Sequence, residues 1–233
     1  RRQRQMCIRD RGLAGAIVMV LLFGGMLPVA AQSSRVHQDP LNAKVPHNKQ
    51  MAGVPNDAIV TESGPLKGLA IWGGDAYFGI PYAAPPVGRL RWMPPQPPAK
   101  IHGVFQANTY GNFCTQPDGS GGASGSEDCL TLDIFRPTQK KNQNKKSSLP
   151  VMVWIHGGGL VTGNSSLYKP SPLALNGNVV EVNVNYRLGY LGFFAHPAID
   201  SERHLNGNYG LMDQQFALQW VHRNIAAFGG DPD

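Results

Sequence analysis

Beyond its first eleven residues, this chain carries no marked excess of positive or negative charge. The 233 residues carry a formal net charge of +6, and only 15% of them are charged. Five arginines and one aspartate in residues 1–11 account for +4, which leaves sixteen basic against fourteen acidic residues elsewhere. The one local cluster, Lys140, Lys141, Lys145 and Lys146, lies in a polar stretch typical of a solvated loop. Without a basic patch we expect no nucleic-acid partner.

The sequence also lacks an apolar run long enough to span a bilayer. Residues 12–27 are apolar and uncharged, but about sixteen residues fall short of the roughly 20 that a membrane helix needs. They follow the basic residues 1–11 and precede Val29 and Ala31, which suit the −3 and −1 positions of a signal-peptidase site. We therefore predict a signal peptide over residues 1–31, a secreted or periplasmic protein, and no stable membrane span after cleavage. A membrane anchor is the alternative.

Beyond this leader, the chain divides into a polar segment and one candidate domain. Residues 32–57 contain three prolines and no apolar periodicity, which is typical of a disordered lead-in. Residues 58–233 carry the patterns of a globular domain, and no internal repeat is visible. We find no spacing that implies a metal or a cofactor.

Secondary-structure patterns in this domain predict an α/β fold. Apolar, β-rich runs predict strands at residues 130–135, 150–156 and 179–186. The second of them has the composition of a strand buried on both faces of a parallel sheet. Residues 58–62 and 68–72 predict a hairpin of a small antiparallel sheet.

Two further segments have recognisable patterns. Proline-rich residues 79–98 are expected to be irregular, because proline cannot join a central ladder. Residues 209–228 predict a long helix that packs on the sheet. Met212, Phe216 and Trp220 form its apolar stripe, which Ala217, Val221 and Ile225 widen. Glycines and a proline after residue 228 predict its end.

The most informative motif is a glycine run at the end of a predicted strand. Residues 154–159 read Trp-Ile-His-Gly-Gly-Gly. Glycine tolerates positive φ and carries no side chain that would shield its N–H group, so such a turn can direct amides at a bound oxyanion. The same pattern forms the oxyanion-hole loop of lipases and esterases. A flexible loop is the simpler alternative.

Other motifs, in order along the chain, carry a family resemblance. Residues 127–130 read Glu-Asp-Cys-Leu, residues 185–189 Asn-Tyr-Arg-Leu-Gly, and residues 228–232 Phe-Gly-Gly-Asp-Pro. With residues 78–92, this series resembles the type-B carboxylesterases, which include the cholinesterases. The resemblance implies the N-terminal part of an α/β-hydrolase fold, with a mixed central sheet and a small antiparallel N-terminal sheet, truncated before the turn that bears the nucleophilic serine.

The resemblance also implies roles for individual residues. Gly158 and Gly159 would supply two amides of the oxyanion hole, whereas the catalytic triad would lie beyond residue 233. His156 precedes the nucleophile, and the order in α/β-hydrolases is serine, acid, histidine, so we expect a structural role for it.

Disulfide and ion-pair positions follow from the same family pattern. Cys114 and Cys129 are the two cysteines that remain after signal cleavage, and both their export and the family's closed loop imply that they pair; two free thiols are the alternative. The resemblance also implies buried structural ion pairs, which are Arg91 with Glu127 and Arg187 with Asp213.

The implied function is hydrolysis of a small-molecule carboxylic ester through an acyl-enzyme, without metal or cofactor. The alternative is a catalytically inactive binding or adhesion protein of the same fold. Two departures from the family pattern matter. Residues 115–128 contain no aromatic residue, which argues against choline esters because cholinesterases bind the quaternary ammonium on an aromatic ring. Glu181 and Asn183 interrupt an otherwise apolar strand and would need buried partners.

Overall fold

The computed structural model describes residues 6–7, 55–138, 148–167 and 172–233. Apart from residues 6–7, the predicted signal peptide lies outside these ranges, as do the lead-in up to residue 54 and the lysine cluster of residues 140–146. In the described ranges, no helix has the length and apolarity needed to cross a membrane.

Short strands and few helices make up the described chain. The strands are β1 (Met6–Cys7), β2 (Ile59–Thr61), β3 (Gly64–Lys67), β4 (Leu69–Ile71), β5 (Gly74–Pro81), β6 (Phe105–Gln106), β7 (Gln116–Pro117), β8 (Ala123–Ser124), β9 (Thr131–Pro137), β10 (Val151–Ile155) and β11 (Val180–Val184). The helices are α1 (Pro172–Gly177), α2 (Gly189–Phe193), α3 (Pro197–Asp200) and α4 (Tyr209–Asn224).

The large sheet is mixed, as expected. Its spatial order is β1, β10, β11, β9, β5, β4. β10 and β11 are parallel, and the other neighbours are antiparallel. The three predicted strands at residues 130–135, 150–156 and 179–186 all form, each with slightly different ends.

The prediction for β10 is correct in part. β10 is parallel to β11, but only Val153 is fully buried, and the other four residues are half-buried. On its other side β10 pairs only with Met6–Cys7. In the described chain β10 therefore lies near the edge of the sheet, which explains why it is not buried on both faces.

The prediction of the N-terminal hairpin paired two strands that do not pair in the structure. β2 pairs with β3, whereas β4, which was expected as the second strand, pairs with β5 in the large sheet. Pro65 lies inside β3, since proline is tolerated near the start of a strand. β6 joins β3 in parallel, so the small sheet is mixed and not purely antiparallel.

The prediction of an irregular segment at residues 79–98 is wrong at its start. β5 continues to Pro81, with a register shift between Tyr77 and Ile80 that marks a bulge. Gly79 lies in this bulge with a φ of +63°. Its N–H donates to the carboxylate of Asp133 at 2.8 Å. The bulge thus bonds to a buried carboxylate that hydropathy alone does not reveal.

The long helix forms, but its end and its buried face differ from the prediction. α4 ends at Asn224, and a 3₁₀ turn (Ile225–Phe228) completes the segment before Gly229 takes a φ of +83°. The buried face includes Asp213, whereas Met212 and Phe216 are only half-buried. The rest of the predicted stripe, which is Ala217, Trp220, Val221 and Ile225, is buried as expected, so the prediction differs at Met212, Phe216 and Asp213.

The main core lies between α4 and the large sheet. Trp220 and Ala217 of α4 are fully buried in one cluster with Val182 of β11 and Ile134 of β9. Phe228 meets Tyr77 of β5 edge to face, with ring centroids 5.1 Å apart. Burial of such side chains contributes roughly 1.5–3 kcal/mol each and fixes the sheet against the helix.

An ion pair that sequence reasoning missed ties α4 to the small sheet. Arg223 donates from Nε and Nη2 to the two carboxylate oxygens of Glu62, at 2.7 and 3.0 Å. The Arg223 side chain is only 9% exposed and that of Glu62 is 25% exposed. The backbone N–H of Glu62 also donates to Asn224 at 2.8 Å. No local pattern joins residues so distant in sequence.

We expect Glu62→Gln to lower the free energy of unfolding by about 1–3 kcal/mol, because it leaves a mostly buried guanidinium without its counter-charge. Urea unfolding measures the change. Asp75→Asn is the matched control, since Asp75 pairs with Arg136 in a more exposed setting, at 36% and 30% exposure, where such pairs contribute about 0–1 kcal/mol. Equal losses in the two variants would contradict the assignment.

Candidate functional site

The glycine run forms a tight turn directly after β10. Gly158 and Gly159 have φ values of +119° and +65°, which few other residues adopt. The carbonyl of Gly158 accepts hydrogen bonds from the N–H groups of Val161 and Thr162, at 3.2 and 3.1 Å. A Cβ on Gly158 would lie 1.9 Å from the carbonyl oxygen of Thr162. The turn therefore requires glycine at position 158 for both its φ and its packing.

The outer side of this turn faces solvent. Residues 157–162 are exposed, and a Cβ on Gly159 would meet no atom within 4 Å. Among the described residues, no acceptor bonds to the N–H of Gly158 or Gly159. Two neighbouring peptide N–H groups at an exposed turn are the donors that an anion or a developing oxyanion requires.

His156 holds the base of the turn. Its side chain is 3% exposed, its Nδ1 lies 2.9 Å from the carbonyl oxygen of Gly157, and its ring stacks on Tyr186 with centroids 4.4 Å apart. The Tyr186 hydroxyl donates to the carbonyl of His156 at 2.8 Å. Burial lowers the pKa of His156, against the opposing effect of the bond to Gly157. A buried imidazole packed in this way holds the backbone at the base of the turn.

Two amide side chains hold the far end of the same loop. Gln116 accepts from the N–H of Gly163 at 2.8 Å and donates to its carbonyl at 3.0 Å. Asn185 accepts from the N–H of Ser165 at 2.8 Å. Asn185 also donates to the hydroxyl of Thr131 at 3.3 Å. The loop is thus bound from the disulfide-closed segment on one side and from the end of β11 on the other.

The disulfide that was expected between the two cysteines is present in the structure. Cys114 and Cys129 form a disulfide with a Cα–Cα distance of 5.0 Å, and both are buried. On the chain-entropy model a loop of this size contributes about 3 kcal/mol. Gln116 lies two residues after Cys114, inside the closed loop.

The first implied ion pair, Arg187 with Asp213, lies in the interior. Arg187 donates from Nε and Nη2 to the two oxygens of Asp213, both at 2.8 Å, and the two side chains are 3% and 0% exposed. Arg187 also donates to the carbonyl of Met93 at 2.9 Å and lies over the Tyr209 ring. Burial raises the pKa of Asp213, against the hydrogen bonds from Arg187. The pair fixes the start of α4 behind the loop that follows β11.

The second implied pair, Arg91 with Glu127, is bidentate but not buried. The distances are 2.5 Å from Nε and 2.6 Å from Nη2, while the side chains are 41% and 26% exposed. The expectation of a buried pair is therefore wrong here for the described chain. This pair links residue 91 to the end of the disulfide loop at its surface.

Asp133 of β9 is a buried carboxyl that the sequence motif did not single out. It is 0% exposed and lies opposite Asn183 of β11. Among the described residues, its Oδ2 has no hydrogen-bond partner. Burial raises the pKa of Asp133 to about 6, against hydrogen bonds from Ser165 and from the N–H of Gly79. Asp133 therefore titrates close to neutral pH, next to the loop that follows the glycines.

Sequence reasoning missed Gln116, Asn185 and Asp133. Asn185 stands inside a quoted motif and Gln116 follows Cys114 by two residues, but neither position signals what the side chain bonds. Within the described ranges, no group of three or more histidine, cysteine or acidic residues could hold a metal ion. The arrangement supplies positioned amide donors, and Ser165, the first serine after them, is 2% exposed and so has no access to a ligand.

Comparisons with known proteins point in one direction. A sequence model of the carboxylesterase family matches residues 55–233. Fumonisin B1 esterase from Sphingopyxis macrogoltabida is 39% identical over 229 residues, which are 94% of this chain and 38% of that protein. Para-nitrobenzyl esterase from Bacillus subtilis (strain 168) is 45% identical over 184 residues, 75% of this chain and 36% of that protein.

A solved structure of a PNB esterase has a TM-score of 0.68 to this chain at 43% identity, and the match covers 77% of this chain and 37% of that one. The chain thus spans 36 to 38% of the length of these three proteins.

Asp133→Asn tests how much free energy of unfolding is lost when the buried carboxyl of Asp133 ionises. The raised pKa means that the folded state binds this proton more tightly than the unfolded state, so the carboxylate lowers the free energy of unfolding as pH rises from about 4 to about 6.5. Asparagine keeps an acceptor for Gly79 and carries no charge. We expect the stability of the variant relative to the parent to grow across this window, by up to roughly 3 kcal/mol at pH 7.

Urea unfolding of both proteins between pH 4 and pH 8 measures this difference. The lowered pKa of His156 makes stability fall as pH drops below about 6.5, which is the opposite sign. Since both proteins contain His156, that contribution cancels in the difference. A stability difference that stays constant from pH 4 to pH 8 would contradict the assignment to Asp133.

Proposed function

This chain belongs to the carboxylesterase family, as its motifs indicated, and has the N-terminal part of the α/β-hydrolase fold; we propose that it belongs to a serine ester hydrolase and supplies part of its oxyanion hole. The observation that carries this proposal is the turn at Gly158 and Gly159. Both residues adopt positive φ after β10, and their N–H groups are left for a ligand.

In the proposed reaction, the hydroxyl oxygen of a serine attacks the carbonyl carbon of the ester, and a histidine accepts the serine proton. The electrons of the C=O bond move onto oxygen, and the N–H groups of Gly158 and Gly159 stabilise that charge. The alcohol then leaves with the proton from histidine, and water hydrolyses the acyl-enzyme in the same two steps. The serine, the histidine and the acid would come from chain beyond residue 233.

The proposed substrate is a small-molecule carboxylic ester. The names of the relatives, fumonisin B1 esterase and para-nitrobenzyl esterase, are those of ester hydrolases, which favours catalysis over the adhesion alternative. The disulfide loop offers no aromatic ring to a quaternary ammonium, so choline esters are not the proposed class. The proposal includes no metal, cofactor or nucleic acid.

The domain boundaries and the location belong to the same proposal. Residues 1–31 would be a signal peptide, residues 32–57 a disordered lead-in, and residues 58–233 the N-terminal part of the esterase domain. The disulfide between Cys114 and Cys129 supports an oxidising compartment, outside the cell or in the periplasm.

We expect the gene product extended beyond residue 233 to hydrolyse a short-chain p-nitrophenyl ester, and the 233-residue chain not to, because amide donors stabilise charge only after a nucleophile has created it. Release of p-nitrophenol measures turnover, and a serine-reactive phosphonate probe measures labelling. One label per extended chain and none on the 233-residue chain is the expected result. An extended product that folds but neither turns over nor labels would refute the proposal.

Gly158→Ala tests the turn itself in the extended product. The added Cβ would meet the Thr162 carbonyl at 1.9 Å, which forces the turn to move, and loss of one oxyanion donor lowers kcat by about 100- to 1000-fold. Gly103→Ala is the matched control, because Gly103 also has positive φ, +82°, but a Cβ there meets no atom within 4 Å. We expect the control to keep kcat within about twofold, since it adds backbone strain alone. Equal losses in both variants would assign the effect to general destabilisation.

A further inference from the structure

Gln116 holds Gly163 with both ends of its side-chain amide. Its Oε1 accepts from the N–H of Gly163 at 2.8 Å and its Nε2 donates to the Gly163 carbonyl at 3.0 Å. One amide that pairs with the donor and the acceptor of a single residue fixes both the position and the orientation of that peptide segment. The two residues are 47 positions apart in sequence.

At Gly163 the loop after the glycines packs back against the start of the turn. Its φ is +118°, and a Cβ there would lie 2.4 Å from Nδ1 of His156 and 2.6 Å from the carbonyl oxygen of Gly157. The backbone of Gly163 therefore packs directly on the two residues that begin the turn. A shift of Gly163 would move His156 and Gly157, and with them the N–H groups of Gly158 and Gly159.

Gln116 is also held within the disulfide loop. Its Nε2 also donates to the carbonyl of Cys114 at 3.0 Å. The backbone next to it is bonded across the loop, since the N–H of Thr115 donates to the carbonyl of Ser126 at 3.1 Å and the N–H of Ser126 donates to that of Phe113 at 2.9 Å. Gln116 therefore starts from a rigid base and reaches to Gly163.

We propose that Gln116 is a positioning residue for ester hydrolysis, which couples the disulfide-closed loop to the oxyanion-hole turn and holds the two glycine N–H groups in the orientation that the transition state needs. The inference rests on the proposed function of that turn. It assigns to the base of the disulfide loop a role in the chemical step, apart from any contact that the loop makes with substrate.

The kinetic test compares Gln116→Ala with Gln106→Ala in the extended gene product. Gln106 is the matched control because it is exposed and its amide bonds only to the carbonyl of Val104, at 3.3 Å. We expect Gln116→Ala to lower kcat on a p-nitrophenyl ester by about 10- to 100-fold, since displaced donors stabilise the transition state poorly. KM should change by less than about threefold, because the interaction is made with the developing charge. The control should leave both parameters unchanged.

Gln116→Glu adds a readout that a purely structural role would not give. An ionised carboxylate still accepts from the N–H of Gly163, but it cannot donate to the carbonyls of Gly163 and Cys114 and repels both. A protonated carboxyl regains one donor. The carbonyls of Gly163 and Cys114 disfavour the ionised form and so raise the pKa of the introduced carboxyl above its usual value of about 4.3. The ratio of kcat between parent and variant should therefore be larger at pH 8 than at pH 5.5. A ratio that does not depend on pH, together with an unchanged kcat for Gln116→Ala, would overturn the proposal.

Hydrogen exchange separates this proposal from the proposed function. In Gln116→Ala, the backbone N–H groups of residues 157–165 should exchange faster by mass spectrometry, while those of α4 should keep the parent rate. If the extended parent is inactive, the esterase proposal fails, and the exchange data still decide whether Gln116 holds the turn. If exchange of residues 157–165 is unchanged, the positioning role is refuted whatever the activity.

Discussion

A backbone N–H keeps a fixed direction when hydrogen bonds and packing hold the peptide that carries it. The turn at Gly158 and Gly159 meets this condition through bonds that come from outside it. His156 bonds to the carbonyl of Gly157, Gln116 to both polar groups of Gly163, and Asn185 to the N–H of Ser165. Among the described residues no acceptor bonds to the N–H groups of Gly158 and Gly159, and fixed donors of this kind are what the proposed oxyanion hole requires.

The same requirement explains why the end of the sheet is polar where a core would be apolar. β11 is buried along its whole length, yet it contains Glu181 and Asn183 and is followed by Asn185. Asn185 shows what such residues achieve, because it bonds to Ser165, Thr131 and the carbonyl of Asn112 at once. Buried polar groups are tolerated when they are bonded, and here those bonds join strands to the loop that carries the site. Asp133 is bonded in part: its Oδ1 accepts from the N–H of Gly79, whereas among the described residues its Oδ2 has no partner, and burial raises its pKa.

What the sequence could predict depended on whether the signal was local. The strand before the glycines, the helix after residue 208, the turn residue Gly229 and the family itself all follow from short patterns and were predicted. The partner of Leu69–Ile71, the half-exposed faces of β10 and the inward position of Asp213 depend on residues distant in sequence. Periodicity counts apolar side chains, so it placed Met212 inward and could not see that Arg187 holds Asp213 in the interior.

The candidate site shows the same difference between features with a local sequence signal and features without one. The turn could be predicted because a run of glycines permits positive φ. The disulfide could be predicted because the sequence has two cysteines beyond residue 31 and resembles a family with a closed loop there. Gln116 and Asn185 could not, since amide side chains are common on surfaces and nothing local shows what they bond. Hydrogen bonds from side chains distant in sequence thus hold this turn, whereas its local sequence specifies only that the backbone can adopt positive φ.

The disulfide loop divides into two parts with different physical roles. Its base is bonded to the loop after the glycines through Gln116, which donates to the carbonyl of Gly163, and the disulfide of Cys114 holds that base in place. Its tip, residues 117–125, is exposed and is shaped by a local turn in which Asp118 accepts from the N–H groups of Ser120 and Gly122 at 2.8 and 3.0 Å. The tip is nevertheless connected to the base, because Ser124 of β8 pairs with Gln116 of β7. Substitutions at exposed tip positions that keep this ladder are therefore compatible with the bond from Gln116 to Gly163.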